Sequence, residues 1–269
     1  MEIKPIIIME SRYNNSSKKI VDFLTTLREQ GMIPFLKRVS NSFYLLLKNK
    51  IFNKYIRYYY FKVFKSQRTF DYNGSKCKYF YHKYNTTHLN ERAEEIAIIK
   101  KIVSGKKIGK ILEVGNVLQH YISFEHDIID KYEKGKNVIN RDIIDFFPES
   151  KYDLILSIST LEHIGFDDGA KDPDKILITL KKLNEILSNS GKIVVTIPLG
   201  YNPYLDNLLK ERKIFFNKLN LFKRISFDNE WVEEKIDDIR KLDIKYGDPY
   251  ITTNWLLVGE INKNNPIIN

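Results

Sequence analysis

Five short runs rich in Ile, Val and Leu follow one another between residues 110 and 198, and they constrain the fold more than any other feature. They are 110–114, 126–130, 137–143, 152–158 and 192–198. Several are apolar on both faces, as parallel strands are when helices cover both sides of a sheet. Between the last two runs, 172–191 reads as a helix with Asp172 as its N-cap, Pro173 at its first position and Gly191 after its end. The pattern predicts βαβ units and an open, mostly parallel sheet with right-handed crossovers.

The flanking segments extend this domain in both directions. Residues 85–105 read as a helix with Asn90 as a plausible N-cap. After the fifth run, 221–227 and 250–261 have the composition of two edge strands, with a charged helix near 230–241 between them. We therefore predict a Rossmann-like α/β domain over 85–262, with a seven-stranded, mostly parallel sheet and helices on both faces. A polar tail, 263–269, follows it.

The first third of the chain has a different composition. Residues 1–83 hold 17 Lys or Arg against 5 Asp or Glu, a net charge of +12, whereas the whole chain has +10. Amphipathic helical patterns occupy 17–30 and the segment after Pro34, and a basic, aromatic stretch follows at 53–65. We predict a basic, aromatic helical extension over 1–84.

Three interpretations of this extension stay open. Its apolar stripe could pack on the rest of the protein as a helical cover. Alternatively, residues 34–65 could form a basic amphipathic helix on an anionic membrane surface, or the aromatic and basic side chains could bind nucleic acid by stacking and phosphate contacts.

Several classes of protein are disfavoured by composition. The single cysteine, Cys77, cannot form an internal disulfide and supports no cysteine zinc site. No His or carboxylate pair has a metal-ligand spacing, so no metal is predicted. The longest uncharged apolar stretch of the basic region, 39–47, is shorter than the roughly 20 residues that a membrane helix needs. A cytoplasmic location is the expectation, peripheral to the membrane if the basic segment binds lipid.

In open α/β sheets ligands bind at the carboxyl ends of the strands, which directs attention to the residues there. An ionised carboxylate only accepts hydrogen bonds, so an acid after the second strand can take both hydroxyls of a ribose. An acid after the third strand can accept the amine of adenine, while the next N–H serves a ring nitrogen. The predicted cofactor-binding residues at these positions are Glu113, Gly115, Asn116, Asp130, Asp142, Ile143 and Ser157.

Five ordered stretches of residues 85–260 resemble the successive motifs of the class I S-adenosylmethionine-dependent methyltransferases. They read KILEVGN, HDIIDKYE, RDIIDF, YDLILSISTLEHI and GKIVVTIPLG. The resemblance implies methyl transfer from S-adenosylmethionine to an acceptor. It also implies that Gly115 lies beside the methionine part of the cofactor, that Asp130 holds the ribose, and that Asp142 and Ile143 hold the adenine.

The first motif departs from the family pattern, which has three alternating glycines. Only Gly115 is kept, and Val117 adds a branched side chain where the family has none. Asn116 tolerates a left-handed conformation, so the turn can still form. His120 and Tyr121 are candidates for walling the methionine end. The alternative is an ordinary buried strand that runs into an ordinary loop.

His163 is the predicted catalytic residue. It follows the fourth strand, where the acceptor should lie, and an imidazole titrates near neutrality. The structural alternative is a histidine at a helix start that bonds to the backbone. Ser159 and Glu162 have capping-box spacing, which favours a structural role for that glutamate. Tyr201 and Asn202, after the fifth strand, are predicted to border the substrate.

Two other functions compete with methyl transfer. A nicotinamide-dependent Rossmann enzyme needs G-x-G-x-x-G, and one of those three glycines is present. A non-catalytic module would keep the fold and use the basic N-terminal region on anionic membrane or nucleic acid. The acceptor of a methyltransferase is not encoded in any motif, and we expect a small molecule, a glycan or a lipid-linked substrate.

Overall fold

The computed structural model describes residues 36, 40, 55–105, 108–135, 137–236 and 238–263. The chain divides into two compact units, residues 1–59 and 60–269. Most of the predicted helical extension, including the pattern at 17–30, lies outside the described residues, as does nearly all of the predicted polar tail.

Four α-helices and ten strands have defined bounds in the described residues. The helices are α1 (Arg57–Phe64), α2 (Arg92–Gly105), α3 (Lys175–Ile186) and α4 (Pro203–Lys210). The strands are β1 (Thr69–Tyr72), β2 (Ser75–Lys78), β3 (Ile111–Val114), β4 (Asp127–Ile129), β5 (Val138–Ile139), β6 (Tyr152–Ile158), β7 (Leu187–Pro198), β8 (Lys218–Arg224), β9 (Trp231–Glu234) and β10 (Trp255–Asn262). None of the described helices is long and apolar enough to cross a membrane.

The central sheet has eight strands in the order β5-β4-β3-β6-β7-β10-β8-β9. The strands from β3 to β7 pair in parallel, and β10 lies antiparallel between β7 and β8. The chain builds outward from β3 to β5, then returns and continues from β6 on the other side of β3. This reversal is the topological switch point at which open α/β sheets bind ligands. The predicted Rossmann-like fold is confirmed.

Helices cover both faces of the sheet, as predicted. The helix α2 packs Ile96 and Ile99 onto one face, against Leu154 and Val194 of the central strands. On the opposite face, the apolar stripe of α3 joins the largest core cluster. The strands between them are buried on both sides, which explains why their sequences are continuously apolar.

The eighth strand, β9, occupies part of the segment for which a charged helix was predicted near 230–241, and that prediction is wrong. Trp231 is buried, its N–H donates to the Tyr79 hydroxyl at 2.8 Å, and its indole N–H donates to Asn229 at 3.0 Å. The long-range contact with Tyr79 and the local one with Asn229 fix an extended edge strand paired with β8. Only Ile239–Lys241 forms a helical turn.

The hairpin of β1 and β2 also belongs to the second unit. Its turn is Asn73-Gly74, with both φ angles positive, as two-residue hairpin turns require. The hairpin packs Phe70 and Cys77 with Phe222 of the central sheet in one buried cluster. The boundary predicted after residue 84 therefore lies inside a compact unit, and residues 60–84 pack with the α/β domain.

Candidate functional site

A cavity of about 340 Å³ opens at the switch point, beside the carboxyl ends of β3, β4, β5 and β6. Five of the predicted cofactor residues and the predicted catalytic histidine line it, together with side chains that the sequence did not single out. The predicted residues are Gly115, Asn116, Asp130, Asp142, Ile143 and His163. The sheet thus brings together residues that are widely separated in the sequence.

The turn after β3 depends on one glycine. Gly115 has φ +88°, and a Cβ at this position would lie 2.3 Å from Oγ1 of Thr160. Its N–H donates to the carbonyl of Ile129 at 2.8 Å, which ties the turn to β4. Val117, in contrast, has φ −105°, a conformation open to any residue. The turn therefore requires the glycine that is kept and does not require one at position 117.

Glu113 lies beneath the turn and does not line the cavity. The side chain is fully buried, and one carboxylate oxygen accepts the N–H groups of Val117 at 2.9 Å and Leu118 at 2.7 Å. The other oxygen faces Nε2 of His126 at 2.9 Å. The carboxylate holds the backbone of the turn from below.

Asp130, just after β4, joins two loops at the cavity. One carboxylate oxygen accepts the N–H of Asn116 at 3.1 Å. The other accepts the N–H groups of Tyr132 at 2.8 Å and Glu133 at 2.7 Å. An ionised carboxylate offers about four acceptor positions, so capacity remains for a ligand hydroxyl.

Asp142 lies in a cluster of ion pairs on the cavity wall. Its carboxylate is 2.8 Å from Nζ of Lys175 and 3.4 Å from Nζ of Lys131. Burial opposes ionisation here, but the hydrogen bond and charge of Lys175 outweigh it and hold the pKa of Asp142 below its usual range. The next residue, Ile143, is buried and lines the cavity.

Asp168 completes this ion-pair cluster from the loop before α3. Its two oxygens lie 2.8 Å from Nζ of Lys131 and 2.6 Å from Nζ of Lys175, and it accepts from the Tyr132 hydroxyl. Partial burial opposes ionisation, yet the two lysines lower the pKa of Asp168. Lys131, Asp168 and Lys175 were not predicted from the sequence. The one available signal was the position of Lys131 directly after Asp130.

His163 is part of a polar cluster at the cavity. Its Nδ1 lies 2.5 Å from a carboxylate oxygen of Asp167, and the Tyr201 hydroxyl donates to that same oxygen at 2.7 Å. The rings of His163 and Tyr201 are 4.6 Å apart. Nε2 of His163 lies 3.7 Å from the Glu162 carboxyl. The imidazole is half exposed, so its proton can pass to solvent.

Four predicted residues do not line the cavity, namely Glu113, Ser157, Tyr201 and Asn202. Ser157 is fully buried within β6. Asn202 is buried at the start of α4, where its side-chain oxygen accepts the N–H groups of Tyr204 and Leu205 and its amide donates to the carbonyl of Glu162 at 2.8 Å. Asn202 therefore fixes the loop that presents the neighbouring tyrosine.

A second chamber, of about 420 Å³, adjoins the first and shares Asn116 and Val117 with it. Its other lining residues are Tyr84, Asn85, Arg92, His120 and Tyr121. The rings of Tyr84 and His120 stack 4.3 Å apart. The buried side-chain oxygen of Asn116 has no hydrogen-bond partner among the described residues.

The N-terminal part of α2 buries several carboxyl groups next to these chambers. Glu95 accepts from Ser159 and, at 2.7 Å, from Thr196, and its other oxygen lies 3.0 Å from Nη1 of Arg92. Glu94 is equally buried, but neither of its oxygens has a hydrogen-bond partner within the described part of the chain. Burial raises the pKa of Glu94 well above its usual range.

Burial also raises the pKa of Glu162 well above its usual range, and the nearby Glu95 adds to the shift. The neutral form of this carboxyl, beside His163, is therefore favoured by its surroundings. In the residues that the structure describes, no group of three or more His, Cys, Asp or Glu side chains is arranged to hold a metal ion.

No family model matches the chain. An uncharacterized protein of Methanocaldococcus jannaschii, MJ0638, is 23% identical over 140 residues, which cover 48% of this chain and 58% of that protein. The chain thus matches little more than half the length of this relative. A similarity of this size does not establish a family.

Similar solved structures are methyltransferases at low identity. The N-methyltransferase NodS of Bradyrhizobium japonicum, in complex with S-adenosyl-L-homocysteine, is 11% identical over 65% of this chain and 88% of its own, with a TM-score of 0.42. A TehB-like enzyme of Corynebacterium glutamicum is 16% identical over 63% and 87%, with a TM-score of 0.37. A Clostridium acetobutylicum methyltransferase is 15% identical over 76% and 97%, with a TM-score of 0.33. At such scores these similarities identify neither an activity nor an acceptor.

Proposed function

We propose that the protein transfers a methyl group from S-adenosylmethionine to a small-molecule, glycan or lipid-linked acceptor. The observation that carries the proposal is the cavity at the switch point. It combines a glycine turn after β3 with a carboxylate after each of the next two strands, Asp130 and Asp142. This arrangement suits an adenosine that lies across the ends of three neighbouring strands.

The adenosine would be held by acceptors and one donor. Asp130 would accept one ribose hydroxyl at the acceptor position that its three backbone contacts leave. Asp142 would accept the amine of adenine, and the N–H of Ile143 would serve a ring nitrogen. Since Asp142 already pairs with Lys175 at 2.8 Å, its charge is fixed before a ligand arrives.

The second chamber is suited to the amino-acid end of the cofactor. It continues from the first past Gly115 and Asn116, and it contains a guanidinium, Arg92, that attracts a carboxylate. Tyr84 and His120 supply a flat aromatic wall. The activated methyl group supplied by the bound cofactor would then lie between the two chambers.

Methyl transfer needs alignment more than covalent assistance. The walls of the cavity supply the alignment of acceptor and methyl group. For an acceptor that holds a proton, Nε2 of His163 takes it, while Asp167 fixes the ring through Nδ1. Tyr201 braces the same carboxylate at 2.7 Å and borders the acceptor side.

Calorimetry with S-adenosylhomocysteine tests the cofactor assignment. The wild-type protein is expected to bind it in the micromolar range, and Asp130→Ala to weaken binding by about 1–3 kcal/mol, since a charge-assisted hydrogen-bond partner is lost. Asp71→Ala, on the exposed face of β1, is the control and is expected to bind like wild type. Thermal melts confirm that each variant is folded.

Two outcomes would contradict the proposal in different ways. No heat with either cofactor form would remove the methyltransferase assignment. If Asp130→Ala binds with full affinity, the methyltransferase assignment stands and the proposed contact between Asp130 and the ribose is wrong. A protein that gives no heat but binds anionic vesicles or nucleic acid, more weakly as salt rises, would instead be a non-catalytic module.

A further inference from the structure

The turn that borders both chambers is held from beneath by a single buried carboxylate. Glu113 accepts the N–H groups of Val117 and Leu118, so two successive peptide groups of the turn depend on its position. Besides these N–H groups, its carboxylate also contacts Nε2 of His126, at 2.9 Å. The imidazole is thus connected to the turn through the Glu113 carboxylate, and it lines neither chamber.

Both ring nitrogens of His126 face hydrogen-bond acceptors. Nδ1 lies 3.0 Å from the carbonyl oxygen of Phe124, and Nε2 lies 2.9 Å from a carboxylate oxygen of Glu113. A neutral imidazole has one N–H and cannot donate to both, whereas the imidazolium donates to both. The side chain is 3% exposed, and the Phe124 ring stacks on it at 4.1 Å, so water does not replace either partner.

The charged groups around His126 favour the imidazolium. Burial opposes its charge, but the hydrogen bonds to Glu113 and to the Phe124 carbonyl outweigh burial, and the pKa of His126 is raised. Asp127, the next residue, adds to the shift. Lys110, on the same side of the sheet, pairs with Asp127 at 3.3 Å. Glu125 also lines the outer cavity that His126 borders.

We propose that His126 is a positioning residue for cofactor binding, which acts by donating to Glu113 and thereby holding the N–H groups of Val117 and Leu118 in the turn. The identity of the ligand rests on the proposed function. The support that His126 and Glu113 give to the turn, called the brace below, does not depend on the ligand, because it acts on the backbone of the turn. The brace also supports a turn that contains only one of the three glycines typical of the class I methyltransferases, the family whose motifs this sequence resembles.

The brace depends on pH in a defined direction. A histidine whose pKa is raised by folding contributes fully below the ordinary imidazole pKa of about 6.5 and loses that contribution as pH rises through the folded-state value. Above it, the neutral ring has a single N–H for two acceptors, and it no longer offers a positive charge to the Glu113 carboxylate. We expect the turn to loosen, and S-adenosylhomocysteine affinity to fall, as pH rises through this range.

Amide hydrogen exchange of Val117 and Leu118 tests the brace without any ligand. In the wild-type protein their protection factors are expected to fall by roughly 10- to 100-fold as His126 loses its proton, which corresponds to losing a hydrogen bond to a charged group. The amide of Val195, within β7, serves as the internal reference and is expected to stay constant. Equal pH slopes at all three amides would overturn the proposal.

Glu113→Gln is the decisive variant. Its amide oxygen can still accept from the turn, while its NH₂ group donates to a neutral imidazole, so the brace no longer needs the second proton. Protection in Glu113→Gln is expected to be independent of pH, and a slope like that of wild type would contradict the mechanism. His126→Leu, if it folds, is expected to show low protection at every pH.

Calorimetry with S-adenosylhomocysteine separates this inference from the proposed function. If the affinity follows the protection factors in wild type and is flat in Glu113→Gln, both stand. If protection behaves as expected and no heat is seen, the brace stands and the cofactor assignment fails. If heat is seen but neither protection nor affinity changes with pH, the brace is wrong and the cofactor assignment stands.

Discussion

Methionine in place of Glu94 is expected to raise the free energy of unfolding by about 1–4 kcal/mol near neutral pH. Glu94 is fully buried in α2, and neither oxygen has a partner among the described residues. Burial and, after it, the neighbouring Glu95 raise its pKa, so the folded protein keeps a proton that the unfolded chain releases. Methionine has a similar length, fills the same space and needs no partner.

The gain from Glu94→Met is expected to grow with pH. An acid whose pKa is raised by folding favours the folded state fully below its unfolded pKa of about 4.3, and stability falls as pH rises above that value. The methionine variant lacks this loss. Urea unfolding at about pH 5 and about pH 8 measures the difference, which should be larger at the higher pH.

Glu95→Met is the matched comparison, because Glu95 is equally buried in the same helix turn. Its oxygens, however, serve Ser159, Thr196 and Arg92. Removing them leaves a buried guanidinium without its partner, and we expect a loss of about 3–5 kcal/mol. Destabilisation of both variants to the same extent would show that Glu94 has a favourable partner in solution.

Alanine at Gly115 is expected to lower S-adenosylhomocysteine affinity by about 100-fold, or 2.7 kcal/mol. The backbone at φ +88° disfavours any side chain, and the new Cβ would collide with Thr160. The turn must move, and with it the N–H of Asn116 that Asp130 holds. Calorimetry measures the loss, and circular dichroism verifies that the sheet persists.

Gly74→Ala provides the control for backbone strain alone. Gly74 has φ +73° in the hairpin turn, and a Cβ there would meet nothing within 4 Å. It is expected to lower stability slightly and leave ligand affinity unchanged. Adding Thr160→Ala to Gly115→Ala removes the collision and should recover part of the affinity. Unchanged affinity in Gly115→Ala would show that the turn does not border the ligand.

The parallel half of the fold was predictable because its signals are local. Continuous apolar runs and the βαβ spacing each depend on neighbouring residues. The predicted helix stop at Gly191 was wrong, because α3 already ends at Ile186 and Gly191 lies within β7. The strand β9 was not predictable in this way, because Trp231 is held in an extended segment by Tyr79, far away in the sequence. Similarly, the helical pattern at 85–105 does not reveal which side chains the sheet buries, and Glu94 is one of them.

The sequence predicted where the residues of the candidate site lie better than it predicted which groups their side chains contact. Strand ends indicated Asp130 and Asp142, and both line the cavity. The sequence did not distinguish an acid that faces the cavity from one that supports the turn, and Glu113 is of the second kind. Lys175 pairs with Asp142 only because α3 packs against the sheet, which no spacing rule anticipates.

The position of β10 has a consequence for how the chain reaches its native state during synthesis. This strand separates β7 from β8, although it is the last of the ten to leave the ribosome. Until residues 255–262 emerge, β7 presents an open edge and the segment of β8 has no neighbour on the inner side. Completion of the sheet is therefore a late, long-range event, and nascent chains halted before Trp255 should be the ones that chaperones retain.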